Sequence, residues 1–172
     1  MSYKIALGGI VSALSLVIMC LTGILPALYI VLPMLCGLLI KMLAEEVSVG
    51  WAFLTYISVS LLSFFLNPNI EATFIFILFF GIYPVISKWL NKTPVFFRLP
   101  IKWIYYFSAS FVNYRISVFL VGVDESVKNL PFGEYWEQIF VIIIAVFFSV
   151  YDFYISLFLK IYQEKWRKKI FR

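Results

Sequence analysis

The sequence contains no histidine and only two cysteines, and these absences narrow the chemistry open to it. Imidazole is the side chain that most often serves as a general acid or base and as a metal ligand near neutral pH. Cys20 and Cys36 fall in separate apolar segments, where a thiol usually behaves as a small hydrophobic group. We therefore expect no disulfide framework, no metal site, no cofactor and no catalytic residues.

Charge is also scarce, because 13% of the 172 residues are charged and 63% are hydrophobic. This composition lies outside the range of soluble domains. A bilayer about 30 Å thick needs about 20 apolar residues per helix, so the length allows roughly five to seven spans. The sequence predicts an all-α membrane protein that forms one compact bundle. Its net charge of +5 does not indicate nucleic-acid binding, because the basic residues flank apolar runs instead of forming a patch.

Breaks between the apolar runs predict six spans. Pro26, a short turn at Glu45-Glu46, the Asn67-Pro68-Asn69 turn, a basic loop from Lys88 to Lys102 and a polar loop from Gly122 to Gln138 separate them. The predicted spans cover about residues 5–25, 27–44, 47–66, 70–90, 101–121 and 139–159, and a basic tail, 160–172, follows. A signal peptide is the competing interpretation of the first run, but no small-x-small cleavage site follows it.

The distribution of basic residues predicts the orientation. With six spans, the 14 Lys and Arg residues all fall on one side, apart from Lys128 on the other side and Arg115 within the fifth span. By the positive-inside rule, both termini are then cytoplasmic. The helices are expected to contact membrane lipid. Glu45 and Glu46 are expected at the cytoplasmic surface, neutralised by Lys41 or Lys88.

The fifth span carries polar residues on two faces. Ser110, Asn113 and Ser117 share one stripe, and Arg115 points to nearly the opposite side. Lipid cannot satisfy these groups, so we expect protein or a wet cavity beside the helix. Asn113 and Arg115 are therefore candidate substrate-binding residues, and Arg115→Ala is expected to abolish binding without unfolding the protein. The alternative is that Arg115 extends to the interface and Asn113 joins two helices.

Asp152 is the other charged residue deep in a predicted span, on a face with Ala145, Ser149 and Ser156. It is also a candidate substrate-binding residue. A direct ion pair with Arg115 is disfavoured because the two residues lie at different depths in their helices. The alternatives are contacts with backbone carbonyls, hydroxyls or water, and a proton relay.

Four further residues are expected near the outer ends of the helices. Tyr29, Asn67, Glu71 and Trp136 could form a polar, aromatic mouth that binds a small molecule. Polar residues and interfacial aromatics are also ordinary at a membrane surface, which is the alternative interpretation.

Small residues mark one side of the first helix. Ala6, Gly9 and Ala13 follow i, i+3, i+7 spacing, which allows another helix to approach closely in lipid. The partner is either a helix of the same bundle or another membrane protein that docks there.

The chain resembles the substrate-binding S components of energy-coupling factor transporters in its six predicted spans, small-residue first helix and longer last outer loop. The segments Asn67–Glu71 and Phe79–Pro84 also look like those of a group of small, uncharacterised bacterial membrane proteins. The first resemblance implies a vitamin-binding subunit in the bacterial cell membrane. It would dock through its first helix on a transmembrane coupling protein driven by two ATPase subunits. The chain departs from the family's Ala-xxx-Ala pattern, because Ile10 follows Ala6 by four positions and Gly9-xxx-Ala13 is the better match.

Two other functions stay open at this point. No phosphate-binding loop occurs in the chain, so a transport function would draw its energy from partners. A structural or interaction protein of the cell envelope or cell-shape type would instead use the basic loop and tail to bind cytoplasmic proteins or anionic lipid. A membrane enzyme is the least favoured, because the chain lacks histidine and has no cluster of carboxylates at matched depth.

Overall fold

The first half of the chain is a series of helices joined by short turns. In the computed structural model, which describes residues 2–90, 94–121, 135–162 and 164, every regular element is a helix. Helix α1 (Ser2–Ile24) leads through a single 3₁₀ turn (Pro26–Leu28) to α2 (Val31–Glu46). Pro26 opens the 3₁₀ turn, where its missing N–H costs nothing. The sequence therefore located this break correctly.

Two side chains start the next helices. The Ser48 hydroxyl accepts a hydrogen bond from the Trp51 N–H and caps α3 (Val49–Leu66). The Asn69 carboxamide oxygen accepts from the Ala72 N–H at 3.0 Å and caps α4 (Ile70–Ile75). A single turn of π-helix (Phe76–Gly81), named the π-turn, joins α4 to α5 (Tyr83–Leu90). The helical run therefore reaches from Ile70 to Leu90, as predicted.

Tight packing surrounds the π-turn. The Tyr56 hydroxyl donates to the Ile77 carbonyl oxygen at 3.1 Å. A Cβ atom at Gly81 would lie 2.7 Å from the Tyr56 ring and 2.9 Å from the Phe76 carbonyl oxygen. Pro84, just beyond the turn, cannot supply an N–H to the preceding turn of helix. The π-turn therefore ends close to Pro84, where the regular backbone hydrogen bonds of the α-helix are interrupted.

The last two described helices are long. Helix α6 (Val95–Val121) begins six residues before the predicted span, because the chain turns into helix directly after Pro94 and tolerates Pro100 inside it. Lys102 therefore belongs to a helix and not to the basic loop. Helix α7 (Trp136–Ile161) extends two or three residues beyond the prediction at each end.

Four helical stretches in the described residues are long and apolar enough to cross a membrane: Ser2–Ile24, Val49–Leu66, Ile70–Leu90 and Gln138–Ile161. Helix α2 is only 16 residues long, below the usual length of a span. Helix α6 has 27 residues, but its charged and amide side chains lower its mean hydropathy. Six spans and the orientation of the termini therefore stay predictions.

The chain forms two compact units, residues 1–101 and 102–172, and a single bundle also stays a prediction. In the first unit, α1 packs on α2 and α3 through Gly8, Ser15, Met19 and Thr22. The fully buried side chains of this unit include Ile40, Val59, Phe76, Phe80 and Tyr83. In the second unit, Tyr106, Ala145, Phe148, Tyr151 and Ile155 are buried.

Candidate functional site

One face of α6 is buried. Tyr106, Ala109, Ser110, Asn113 and Tyr114 recur at helical spacing, and each is at most 7% exposed. The Tyr106 ring centroid lies 4.8 Å from that of Phe148, and the Tyr114 centroid lies 5.3 Å from that of Phe140. Two polar side chains therefore lie between two packed aromatic pairs, on the stripe that the sequence predicted.

These two polar side chains make no hydrogen bond in the described residues. The Ser110 hydroxyl is fully buried without a partner. The Asn113 carboxamide, in a residue 4% exposed, likewise takes part in none of the hydrogen bonds of residues 2–90, 94–121 and 135–162. The hydroxyls of Ser15, Ser60 and Ser63 are likewise buried without a hydrogen-bond partner in the described residues, so this property alone does not mark a binding site.

Arg115 lies on the other side of α6. Its side chain is exposed, and its guanidinium carbon is 5.1 Å from the centroid of the Phe111 ring, a cation–π contact. The structure thus places Asn113 and Arg115 on different faces, as the spacing predicted, and it does not bring them together in one site.

Asp152 pairs with Lys102 at 2.5 Å, and both side chains are largely buried. Ser149 and Ser156 donate to the carbonyl oxygens of Ala145 and Asp152, each at 2.9 Å. The polar side chains on this face of α7 therefore have hydrogen-bond or ion-pair partners, which are backbone carbonyls of α7 and Lys102. The sequence did not predict this pair, because Lys102 stands at the start of the predicted fifth span, and only the earlier start of α6 at Val95 brings it to a depth comparable to that of Asp152. Lys102 lies about 10 Å from one end of α6, and Asp152 lies about 14 Å from the corresponding end of α7.

Asn67 forms a second, different polar site. Its carboxamide oxygen accepts from the Thr22 hydroxyl and from the Asn69 N–H, each at 3.1 Å. Its amide nitrogen donates to the Thr73 hydroxyl at 3.0 Å. Asn67 therefore ties the end of α1 to the turn before α4, and these bonds occupy its carboxamide.

The other predicted mouth residues are dispersed around this turn. Tyr29 follows the 3₁₀ turn and is exposed, whereas Glu71 is half-buried in the first turn of α4. The side chain of Trp136 and residues 122–134 of the outer loop lie outside the described residues. The predicted mouth therefore stays a prediction.

The small residues of α1 lie on its exposed side. Ala6, Gly9 and Ala13 are all exposed, and a Cβ atom at Gly9 would have no neighbour within 4 Å. By contrast, the residues that pack on α2 and α3, such as Gly8 and Ser15, lie on roughly the opposite side. Within the structure, the packing of α1 in its own unit does not use the predicted stripe.

A buried lysine was not expected from the sequence. The Lys41 ammonium group is 2.9 Å from the Ser87 hydroxyl oxygen and 3.7 Å from a carboxylate oxygen of Glu45. Lys88 is 3.2 Å from the other oxygen of Glu45 and also donates to the Ala44 carbonyl. The predicted neutralisation of Glu45 is confirmed, and Lys88 also offsets the negative ends of α2 and α5, because it lies in the last turn of α5 and donates to a carbonyl near the end of α2. This arrangement joins two helix ends.

The described residues thus define an all-helical protein with several helices able to cross a membrane. Comparison with protein-family models, curated proteins and solved structures finds no match for the chain.

Proposed function

We propose that the protein is a membrane-embedded, substrate-binding subunit of a small-molecule uptake transporter, with six spans and both termini in the cytoplasm of a bacterium. The substrate is vitamin-like, and partner ATPase subunits supply the energy through a transmembrane coupling protein. The observation that supports this proposal best is the exposed stripe of Ala6, Gly9 and Ala13 on α1. In lipid, a helix gains little from small residues unless another helix packs closely on them.

Purification of the tagged protein from its own membranes tests this proposal. The wild type should bring down a membrane protein together with ATPase subunits, and mass spectrometry should find a small molecule bound. Replacing Ala6, Gly9 and Ala13 together by leucine should remove the protein partners, because the added bulk blocks close approach.

Ser58→Leu is the matched control, because Ser58 is an exposed small residue on α3. It adds one leucine at another exposed helix face and should leave the complex intact. Capture of cell-shape proteins without an ATPase would support the structural alternative. Unchanged capture by the triple variant would refute docking through α1.

A further inference from the structure

We infer that Arg115 lies level with a surface of the membrane and binds the phosphate group of an anionic phospholipid, whose acyl chains contact the exposed side of α6. This inference goes beyond the proposed transport function. It uses one part of that proposal, namely that α6 and α7 cross the membrane. It starts from the register of these two helices.

Three contacts fix how α6 and α7 lie side by side, and in each a later residue of α6 meets an earlier residue of α7. They are Lys102 with Asp152, Tyr106 with Phe148, and Tyr114 with Phe140. From the first contact to the third, α6 advances by 12 residues and α7 goes back by 12. The two helices are therefore antiparallel, and their register is constant from one contact to the next.

This register gives the depth of Arg115. It lies 13 residues beyond Lys102, and 13 residues before Asp152 along α7 is Ile139. Ile139 is the second residue of the apolar stretch Gln138–Ile161. The residues directly before that stretch are two aromatic residues and an acid, as is typical of a membrane surface. Arg115 therefore lies level with the surface at which α7 begins, whereas the span predicted from the sequence would place it about 9 Å inside.

The exposed side of α6 around Arg115 is able to hold acyl chains. Phe107 and Phe111 precede Arg115 at intervals of four residues, and all three side chains are exposed. In this register, both phenylalanines lie on the membrane side of Arg115. The guanidinium carbon is 5.1 Å from the centroid of the Phe111 ring. The positive charge therefore lies at the border between an apolar stripe and the membrane surface.

The charge and the depth of Arg115 together favour a phospholipid. A guanidinium donates two parallel hydrogen bonds to a phosphate, and this pairing is stronger where little water is present. Phospholipid headgroups hold their phosphates at the surface of the membrane, directly above the acyl chains that Phe107 and Phe111 can contact. An anionic headgroup such as phosphatidylglycerol adds no cation that would compete with Arg115 for the phosphate. The ligand that complements this side of α6 is therefore an anionic phospholipid.

Nitroxide labels on single cysteines test the depth of Arg115. The background has Cys20 and Cys36 replaced by alanine, and the protein is reconstituted into phosphatidylcholine vesicles. Arg115→Cys and Ser108→Cys place the label at two exposed positions of α6. The collision rate with a water-soluble nickel complex, relative to that with oxygen, should be several-fold higher at position 115 than at position 108. Equal ratios would refute the register, because the span predicted from the sequence places both positions at similar depth.

A fluorophore one helical turn from Arg115 tests the ligand. Phe119→Cys, in the same background and labelled with an environment-sensitive dye, reports on this end of α6 in the full-length protein in detergent. Titration with dioleoylphosphatidylglycerol should change the emission saturably. Arg115→Gln should require about tenfold more lipid or more, as expected for lost charge-assisted hydrogen bonds. Lys160→Gln is the matched control, because it removes one positive charge near the other end of α7 and should leave the titration unchanged.

Two further probes identify which part of the lipid is bound. Dioleoylglycerol has the same acyl chains without a phosphate, and it should act equally weakly on the wild type and on Arg115→Gln. Glycerol 3-phosphate has the phosphate without the chains, and it should not saturate the signal. The proposal is overturned if either probe matches phosphatidylglycerol, or if Arg115→Gln titrates like the wild type. None of these measurements depends on the partners of α1, so capture of ATPase subunits tests the transport proposal independently.

Discussion

Asn67 and Asn113 are the same residue type at similar burial, yet their surroundings differ. The bonds of Asn67 reach Thr22, 45 residues earlier in the chain, and Thr73, six residues later. The sequence predicted a turn at Asn67-Pro68-Asn69, because Asn and Pro favour turns locally. It could not predict the bond to Thr22, because that partner is set by how α1 packs.

Asn67→Ala is therefore expected to destabilise the protein by about 1–3 kcal/mol more than Asn113→Ala does. Both substitutions remove the same atoms, so the difference reports the hydrogen bonds of Asn67. Thermal unfolding followed with a thiol-reactive dye is a suitable measurement, since Cys36 is fully buried in the folded protein. Equal losses of stability in the two variants would contradict the role assigned to Asn67.

At the scale of elements, the π-turn depends on the absence of a side chain at Gly81. A methyl group there would approach the Phe76 carbonyl oxygen, which belongs to the backbone and cannot rotate away. Gly81→Ala is expected to destabilise the protein by about 1–3 kcal/mol, the usual cost of overpacking.

Gly9→Ala is the matched control for Gly81→Ala in the same unfolding measurement. Gly9 is helical, and a methyl group added to it would meet no other atom within 4 Å. Alanine at this position should therefore be neutral or should stabilise α1 by up to about 1 kcal/mol. If Gly81→Ala were as stable as Gly9→Ala, the tight packing inferred around the π-turn would be wrong.

Helix positions were predictable where local chemistry sets them. Pro26 and Asn69 lie at the boundaries that turn preferences indicate. The start of α6 was not predictable in this way, because two prolines and several cations resemble a loop and only the structure shows Lys102 paired with Asp152. The stripe of Ser110 and Asn113 followed from helical periodicity alone. The absence of a hydrogen-bond partner for Ser110 in the described residues could not be predicted from periodicity, because it depends on the neighbouring elements.

At the scale of the whole molecule, the charge pattern and the length of the helices favour different topologies. Counting only the four long apolar helices of the described residues, the chain crosses the membrane at α1, α3, Ile70–Leu90 and α7. With the N-terminus in the cytoplasm, as the charge pattern predicts, the turn before α4 would then face the cytoplasm, and the end of α5 would face outward. With six spans these two sites exchange sides, because α2 and α6 also cross. The termini lie on the same side in either case, so they cannot distinguish the two topologies.

Single cysteines at Ile70 and Trp89 distinguish them, because both residues are exposed and lie at opposite ends of one predicted span. In a variant with Cys20 and Cys36 replaced by alanine, a membrane-impermeant maleimide should label Ile70→Cys in intact cells. It should label Trp89→Cys only after the membrane is permeabilised. We expect this result because Lys88, Lys92 and Arg98 near the end of α5 favour the cytoplasmic side. The opposite labelling pattern would support four spans, place these cations outside, and remove the topological basis of the resemblance to transporter subunits.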